Sequence, residues 1–211
     1  MSAPIVLESL DLAALLCSRV CHDLISPVGA IVNGLEVLEE ENDEETKTFA
    51  LDLIKRSAGN ASAKLQFCRL AFGAAGSAGV QIDVGDAESL ARGFIEDDKT
   101  KLAWNLPRVL LAKNRVKLLL NMLIIAGQGI PRGGVLTVDP LGEGESMSFR
   151  ITAAGPNSRI PPHAMDLLAG APEGAVDAHG IQPFYTGLLA RSCGLGVMVA
   201  AENDTVVVAA R

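Results

Sequence analysis

One of the three histidines, His22, stands in the run Cys21-His22-Asp23-Leu24-Ile25-Ser26-Pro27-Val28. A neutral imidazole is a nucleophile near neutral pH, and the N-phosphoryl group it forms is labile enough to be passed on. Asp23 beside it can orient the ring or accept its proton; the alternative is a solvated helix charge. Apolar residues Leu10, Ala13, Cys17, Val20, Leu24, Ile31, Leu35 and Leu38 recur at helical spacing and predict one face of a long helix. His22 lies two positions from Val20 and from Leu24, about 200° around the helix, which predicts a ring facing solvent. Its neighbours one and two turns away, Ser18, Arg19, Ile25, Ser26 and Gly29, are mostly small or polar and leave room for another protein to approach. Pro27 removes a backbone donor and presses on the carbonyl of Asp23, so a local kink is expected just after His22. Taken alone, such a residue could equally be an ordinary surface histidine beside a tolerated proline.

The element that carries His22 needs a partner. The acidic stretch Glu39 to Glu45, broken by Asn42, ends the first pattern and reads as a solvated hairpin tip. A second helical pattern follows through Phe49, Leu53, Ile54, Ser57, Ala61, Leu65, Cys68 and Phe72. Two such helices bury one stripe between them and leave apolar surface over, so a homodimer pairing two hairpins into a four-helix bundle is expected. With the turn near Asn42, antiparallel pairing sets His22 level with about residues 58 to 66. Lys64 and Arg56 then become candidates to steady a transferred phosphoryl group beside Arg19; solubilising surface charge is the alternative.

The small-residue segment Gly73 to Gly79 reads as a linker between a helical unit over residues 1–75 and a second unit over 80–211. Beyond it, strands are expected at Val80 to Val84, Lys101 to Asn105, Val135 to Asp139, Met147 to Ala153, Leu195 to Ala201 and Thr205 to Ala210. Helices are expected at Asp86 to Ile95, capped by Asp86, at Asn114 to Gly127, near His163 to Leu168 and at Gln182 to Cys193. Together they predict an α/β sandwich with helices on one sheet.

Composition narrows the function. With 49% hydrophobic residues the chain can bury a sizeable core, and its net charge of -7 argues against a nucleic-acid partner. No basic region precedes an apolar stretch at the N-terminus, and no uninterrupted apolar run reaches membrane-spanning length, so a soluble cytoplasmic protein with no membrane partner is expected. Cys17, Cys21, Cys68 and Cys193 are expected to be buried reduced thiols. Cys17, Cys21 and His22 fall near one helical turn, but Cys17 and His22 point apart and no fourth ligand is evident, so no metal site is assigned. His163 and His179 have no spaced carboxylate or cysteine partners.

The segment from His22 to Val28 resembles the phosphoacceptor box of two-component histidine kinases and phosphotransferases: His, an acidic residue, an apolar one, a variable one, Ser, Thr or Asn, then Pro and an apolar residue. His22, Asp23, Leu24, Ser26, Pro27 and Val28 fit at every position. Over the whole chain the resemblance is to ChpT-type histidine phosphotransferases, whose second unit is a degenerate kinase-type ATPase domain. Leu119-Leu120-Asn121-Met122 through Pro131-Arg132-Gly133-Gly134 is similar to the kinase helix that carries the Mg²⁺-binding Asn. That Asn would fall at Ile125 and a Lys at Gln128. The adenine-binding Asp would fall at Ala153, near Gly155, and one glycine has become Asn157. The lid glycines have no good counterpart near Gly180 to Thr186, and Gly194-Leu195-Gly196 opens a strand.

Without these groups the fold should not bind ATP well. The resemblance therefore implies a phosphorelay carrier that takes phosphoryl on His22 from the receiver domain of a hybrid histidine kinase and hands it to downstream response regulators. It implies no cofactor on this chain, with Mg²⁺ held in the partner receiver domain. The rivals are an ATP-dependent histidine kinase with a divergent nucleotide site and a scaffold that binds regulators without carrying phosphate. Trp104, Phe184 and Tyr185 are candidate contacts of the second unit or, more simply, core residues.

Overall fold

The computed structural model describes residues 7–73, 80–171, 176–178 and 180–211. Most of the expected linker, residues 74–79, and His179 lie outside them, as does the start of the N-terminal segment.

Helices α1 (Ser9–Glu40) and α2 (Glu44–Ala71) form a hairpin. The turn falls where the acidic stretch placed it: α1 ends at Glu40, and Asp43 starts α2, its carboxylate accepting from the Thr46 amide at 2.8 Å. The Thr46 hydroxyl and amide hold the Asp43 carboxyl below its usual range. The seam is close because its residues are small. Gly34 is buried, a Cβ there would lie 2.7 Å from Ile54 Cγ1, and Ala50, Ser57 and Ala61 are buried opposite.

Helix α1 carries two apolar stripes where the sequence suggested one. Val20, Leu24, Ile31 and Leu38 are half-buried and share a sector with Pro27 and Gly34, the only buried residues of this helix. Leu10, Ala13, Cys17 and Leu35, read as the same face, are exposed, as are Phe49 and Leu65 on α2. They miss the seam because a 3.6-residue period drifts across a helix this long, so that one list of spacings of three and four merges two neighbouring faces. The exposed residues Leu10, Ala14, Cys17, Cys21, Ile25, Val28, Val32 and Leu35 make a second continuous line. Cys17 and Cys21 are thus exposed in the single chain, against expectation, while Cys68 is buried. By length and composition α1 could also cross a membrane, but only 6% of its apolar window is buried in the single chain.

The second unit is built on a five-stranded sheet of order β2-β4-β5-β7-β6: β2 (Thr100–Trp104), β4 (Gly134–Leu141), β5 (Ser148–Ala154), β7 (Thr205–Ala210) and β6 (Val197–Glu202). Only the β2–β4 pair is parallel. Alternation aims Leu102, Leu136, Val138, Phe149, Ile151, Val199, Val206 and Val208 at one core, where α4 (Lys113–Gln128) lies. Eleven of its residues, Val116 through Ala126, are buried, and each fully buried aliphatic side chain contributes about 1.5–3 kcal/mol. Helices α3 (Val84–Ile95), α5 (Ala164–Ala169) and α6 (Ile181–Ser192) complete the layer.

Two expectations need correction. The strand near Val80 is β1 (Gln81–Asp83), which pairs antiparallel with the unforeseen β3 (Leu110–Ala112) in a separate two-stranded sheet. Helix α3 is capped by Asp83, whose carboxylate accepts from the Gly85 amide at 2.7 Å, and not by Asp86, which lies inside the first turn.

The two units share an interface. Phe67 of α2 stacks on Phe94 of α3 with ring centroids 4.0 Å apart. Leu12, Leu15 and Leu16 near the start of α1 pack on a cluster of Leu167, Ile181 and Phe184.

Candidate functional site

Pro27 organises the site. A proline has no N–H, so the Asp23 carbonyl, four residues earlier, loses the helical donor it would otherwise have. Lys64 of α2 supplies the replacement, its Nζ donating to the Asp23 carbonyl oxygen at 3.1 Å. One contact thereby repairs the ladder, sets the register of the hairpin and places an ammonium group on the turn that carries His22. It lies within the window of residues expected level with His22.

The histidine side chain is 64% exposed and that of Asp23 only 14%. The Asp23 carboxylate turns into the hairpin and is held there by Arg19, whose Nε donates to Oδ2 at 3.2 Å. Its other oxygen, Oδ1, stands 3.4 Å from His22 Nδ1, a long contact in this state. Arg19, Asp23 and Lys64 therefore gather on one turn under the ring, Arg19 paired with the Asp23 carboxylate and Lys64 with the Asp23 carbonyl. Cys68 lies beside it: burial, with the negative charge of Asp23 second, pushes its thiol up to about 11, so it stays an uncharged packing group.

Around the ring, Ser26 and Ile25 are exposed, and a Cβ added at Gly29 would meet nothing within 4 Å. Arg56 is exposed but stands eight residues before Lys64, about 12 Å along the helix axis, so of the two α2 cations Lys64 is the one brought to His22. The contact to a backbone carbonyl was beyond sequence reasoning, although Pro27 four residues after Asp23 was the signal that could have found it. Chemically, an acceptor beside Nδ1 favours the tautomer protonated there and leaves Nε2 as the basic nitrogen.

Several nucleotide-motif positions of the second unit serve packing, while Gln128 and Asn157 are exposed. Ile125 and Ala153 are fully buried in the core. Gly134 and Gly155 allow two backbones to cross, since a Cβ on Gly134 would strike the Ala154 carbonyl and one on Gly155 the Gly133 carbonyl. Asn157 adopts a left-handed conformation in the turn that follows β5. Trp104 and Tyr185 pack against the core and Phe184 lies within the smaller α6 cluster. Among the described residues no three His, Cys, Asp or Glu come together as a metal-ligand group.

Comparison with known proteins places the chain by family and fold. The protein phosphotransferase ChpT of Brucella abortus (strain 2308) is 54% identical, with the whole of both chains aligned. A solved structure described as a bacterial phosphotransferase matches at 51% identity over all of both chains with a TM-score of 0.89. The histidine kinase domain of a blue-light-activated kinase from Erythrobacter litoralis aligns with 87% of this chain and 94% of its own at 16% identity and a TM-score of 0.47. The family model for the histidine phosphotransferase C-terminal domain matches residues 84–205, and the chain belongs to the histidine phosphotransferase family.

Proposed function

We propose that this phosphotransferase carries its phosphoryl group on His22, accepts it from the aspartyl phosphate of a hybrid kinase's receiver domain and donates it to aspartates of downstream response regulators. The observation that carries the reading is the exposed imidazole set over a half-buried Arg19–Asp23–Lys64 group. In the forward step the Nε2 lone pair attacks phosphorus, an N–P bond forms, the acyl O–P bond breaks and the receiver carboxylate leaves with the electron pair. The ring becomes cationic, and Asp23, accepting from Nδ1–H, stabilises that charge as the 3.4 Å contact tightens. Arg19 keeps Asp23 in place. Lys64, with donors beyond the one given to the Asp23 carbonyl, faces the transferred oxygens. The reverse step uses the same groups. Small neighbours Ser26 and Gly29 let a receiver's acid pocket, with its Mg²⁺, close over the ring; Ile25, one turn from His22 at the edge of the line the second hairpin covers, gives it an apolar contact. Arg56 acts farther out, on the partner's rim. The chain itself needs no cofactor for this exchange.

The working form is a homodimer in the cytoplasm. The exposed line Leu10 to Leu35 on α1, and Leu51, Ala58 and Leu65 at seven-residue spacing on α2, are the surfaces a second hairpin would cover. Such a line explains an apolar helix that the single chain leaves uncovered better than a lipid environment does, because α1 also carries Arg19, His22 and Asp23.

The test is transfer from a ³²P-labelled receiver domain of the hybrid kinase to the wild type and to His22→Ala, beside a lane with ATP and Mg²⁺ alone. Label on wild type only, and none from ATP, is expected. Label from ATP alone would make it a kinase, and no label anywhere would leave a scaffold.

A further inference from the structure

The last carbonyls of a helix have no partners of their own, and a helix end that is buried must find donors elsewhere. Helix α2 finds them in the other unit. Asn121 of α4, fully buried, donates through Nδ2 to the Ala71 carbonyl at 3.0 Å and to its own helix at Lys117 O at 2.7 Å. One turn earlier, Lys117 donates through Nζ to the Gly73 carbonyl, two residues past the end of α2, at 2.8 Å, with the Tyr185 ring 5.7 Å away. A cation at this end also complements the helix dipole. The amide of Asn121 is itself fixed by α6, since Gln182 Nε2 donates to Asn121 Oδ1 at 2.8 Å. Among the described residues Gln182 Oε1 is left buried without a donor, a cost retained where the other half of the amide does the orienting.

Helix α6 also takes up the start of α1: Ile181 and Phe184 pack against Leu12, Leu15 and Leu16. Leu16 precedes His22 by six residues, about 9 Å along the helix. The polar cluster therefore joins α2, α4 and α6 beneath the part of α1 that leads to the phosphoacceptor.

We propose that Lys117, Asn121 and Gln182 are positioning residues: a buried polar lock that holds the hairpin and the α/β unit at one angle, and so fixes the surface a receiver meets around His22. Apolar packing alone would let the two units slide, whereas hydrogen bonds to specific carbonyls define register. The proposal rests on His22 being the phosphoacceptor.

The test compares wild type with Asn121→Ala, Lys117→Met and Lys117→Arg as full chains. Transfer from a phosphorylated hybrid-kinase receiver domain is followed over a range of receiver concentrations. Chemical phosphorylation of His22 by phosphoramidate, which needs no docking, is followed in parallel, and small-angle scattering reports the spread of the two units. The expected result for Asn121→Ala and Lys117→Met is a KM raised about five- to tenfold, kcat within about twofold and an unchanged phosphoramidate rate. The scattering envelope widens, and Lys117→Arg, which keeps a donor, restores the KM. Lys117→Met keeps the apolar stem and so guards against a variant that fails to fold. An unchanged KM and envelope, or kcat and phosphoramidate labelling falling together, would overturn the lock. Failure of wild-type His22 to take phosphate from either donor would instead remove the phosphoacceptor reading and leave the scattering comparison standing.

Discussion

Helix α1 has 32 residues and buries two of them; helix α4 has 16 and buries eleven. Both are apolar helices, so composition does not separate them. The difference is where their apolar surface goes. Helix α4 spends it inside its own chain, against β5, β7 and α6, and its unit is complete. Helix α1 keeps a full-length stripe outside, together with the exposed imidazole of His22. The α/β unit closes on itself, and the hairpin leaves an apolar surface open, which is what the proposed dimer would cover.

That contrast can be broken most severely at the stripe. Replacing Val32 and Leu35 together by Asp buries charge in the proposed dimer interface and should cost about 3 kcal/mol or more per protomer. Light scattering should then show monomer and circular dichroism a partly unfolded hairpin; a folded wild-type monomer would sink the bundle. Leu120→Ala attacks the other unit. A cavity in the α4 core should lower stability by about 2–5 kcal/mol in thermal melts while leaving the oligomer intact. Asp23→Asn keeps both units whole and should slow transfer about tenfold or more, with little change in receiver affinity, because it removes the charge that stabilises the ring in transfer.

The smallest effect is the most diagnostic of exposure. Cys68, buried and pushed up to about 11, should resist alkylation at neutral pH in the wild type and in Asp23→Asn. Cys17 and Cys21 should be protected in the dimer and become reactive in the Val32→Asp, Leu35→Asp monomer. The same Cys68 shift sets a pH dependence. Its folded pKa exceeds the unfolded thiol value of about 8.5, so its contribution is fully present below that value. It is lost as pH rises toward about 11, and a Cys68→Ala variant should lack that alkaline decline in stability.

Much of this was legible in the sequence, and the failures have physical causes. The hairpin turn was readable because the acidic run around Asn42 breaks the helical pattern, and the exposure of His22 because it sits between two stripe residues. The merging of two α1 stripes was not avoidable from spacing, since each residue in the list fits a three-or-four rule while the list as a whole drifts. Strand β3 is three residues long and its pairing with β1 is non-local. The α3 cap went to Asp83 over Asp86, two identical side chains three residues apart, and only the Gly85 hydrogen bond distinguishes them. Lys64 was readable as a neighbour of His22, but which side chain would replace the donor Pro27 removes was not, because the proline marks the orphaned carbonyl without naming its partner. The buried Asn121 was visible only as part of a motif that this fold uses for packing.

The most direct measurement is the site of phosphate on the wild-type protein after transfer from a receiver, mapped by electron-transfer mass spectrometry at alkaline pH, where N–P bonds survive. The account predicts a single phosphohistidine at His22. Phosphate at His163, at His179 or on an acid-stable hydroxyl would contradict it.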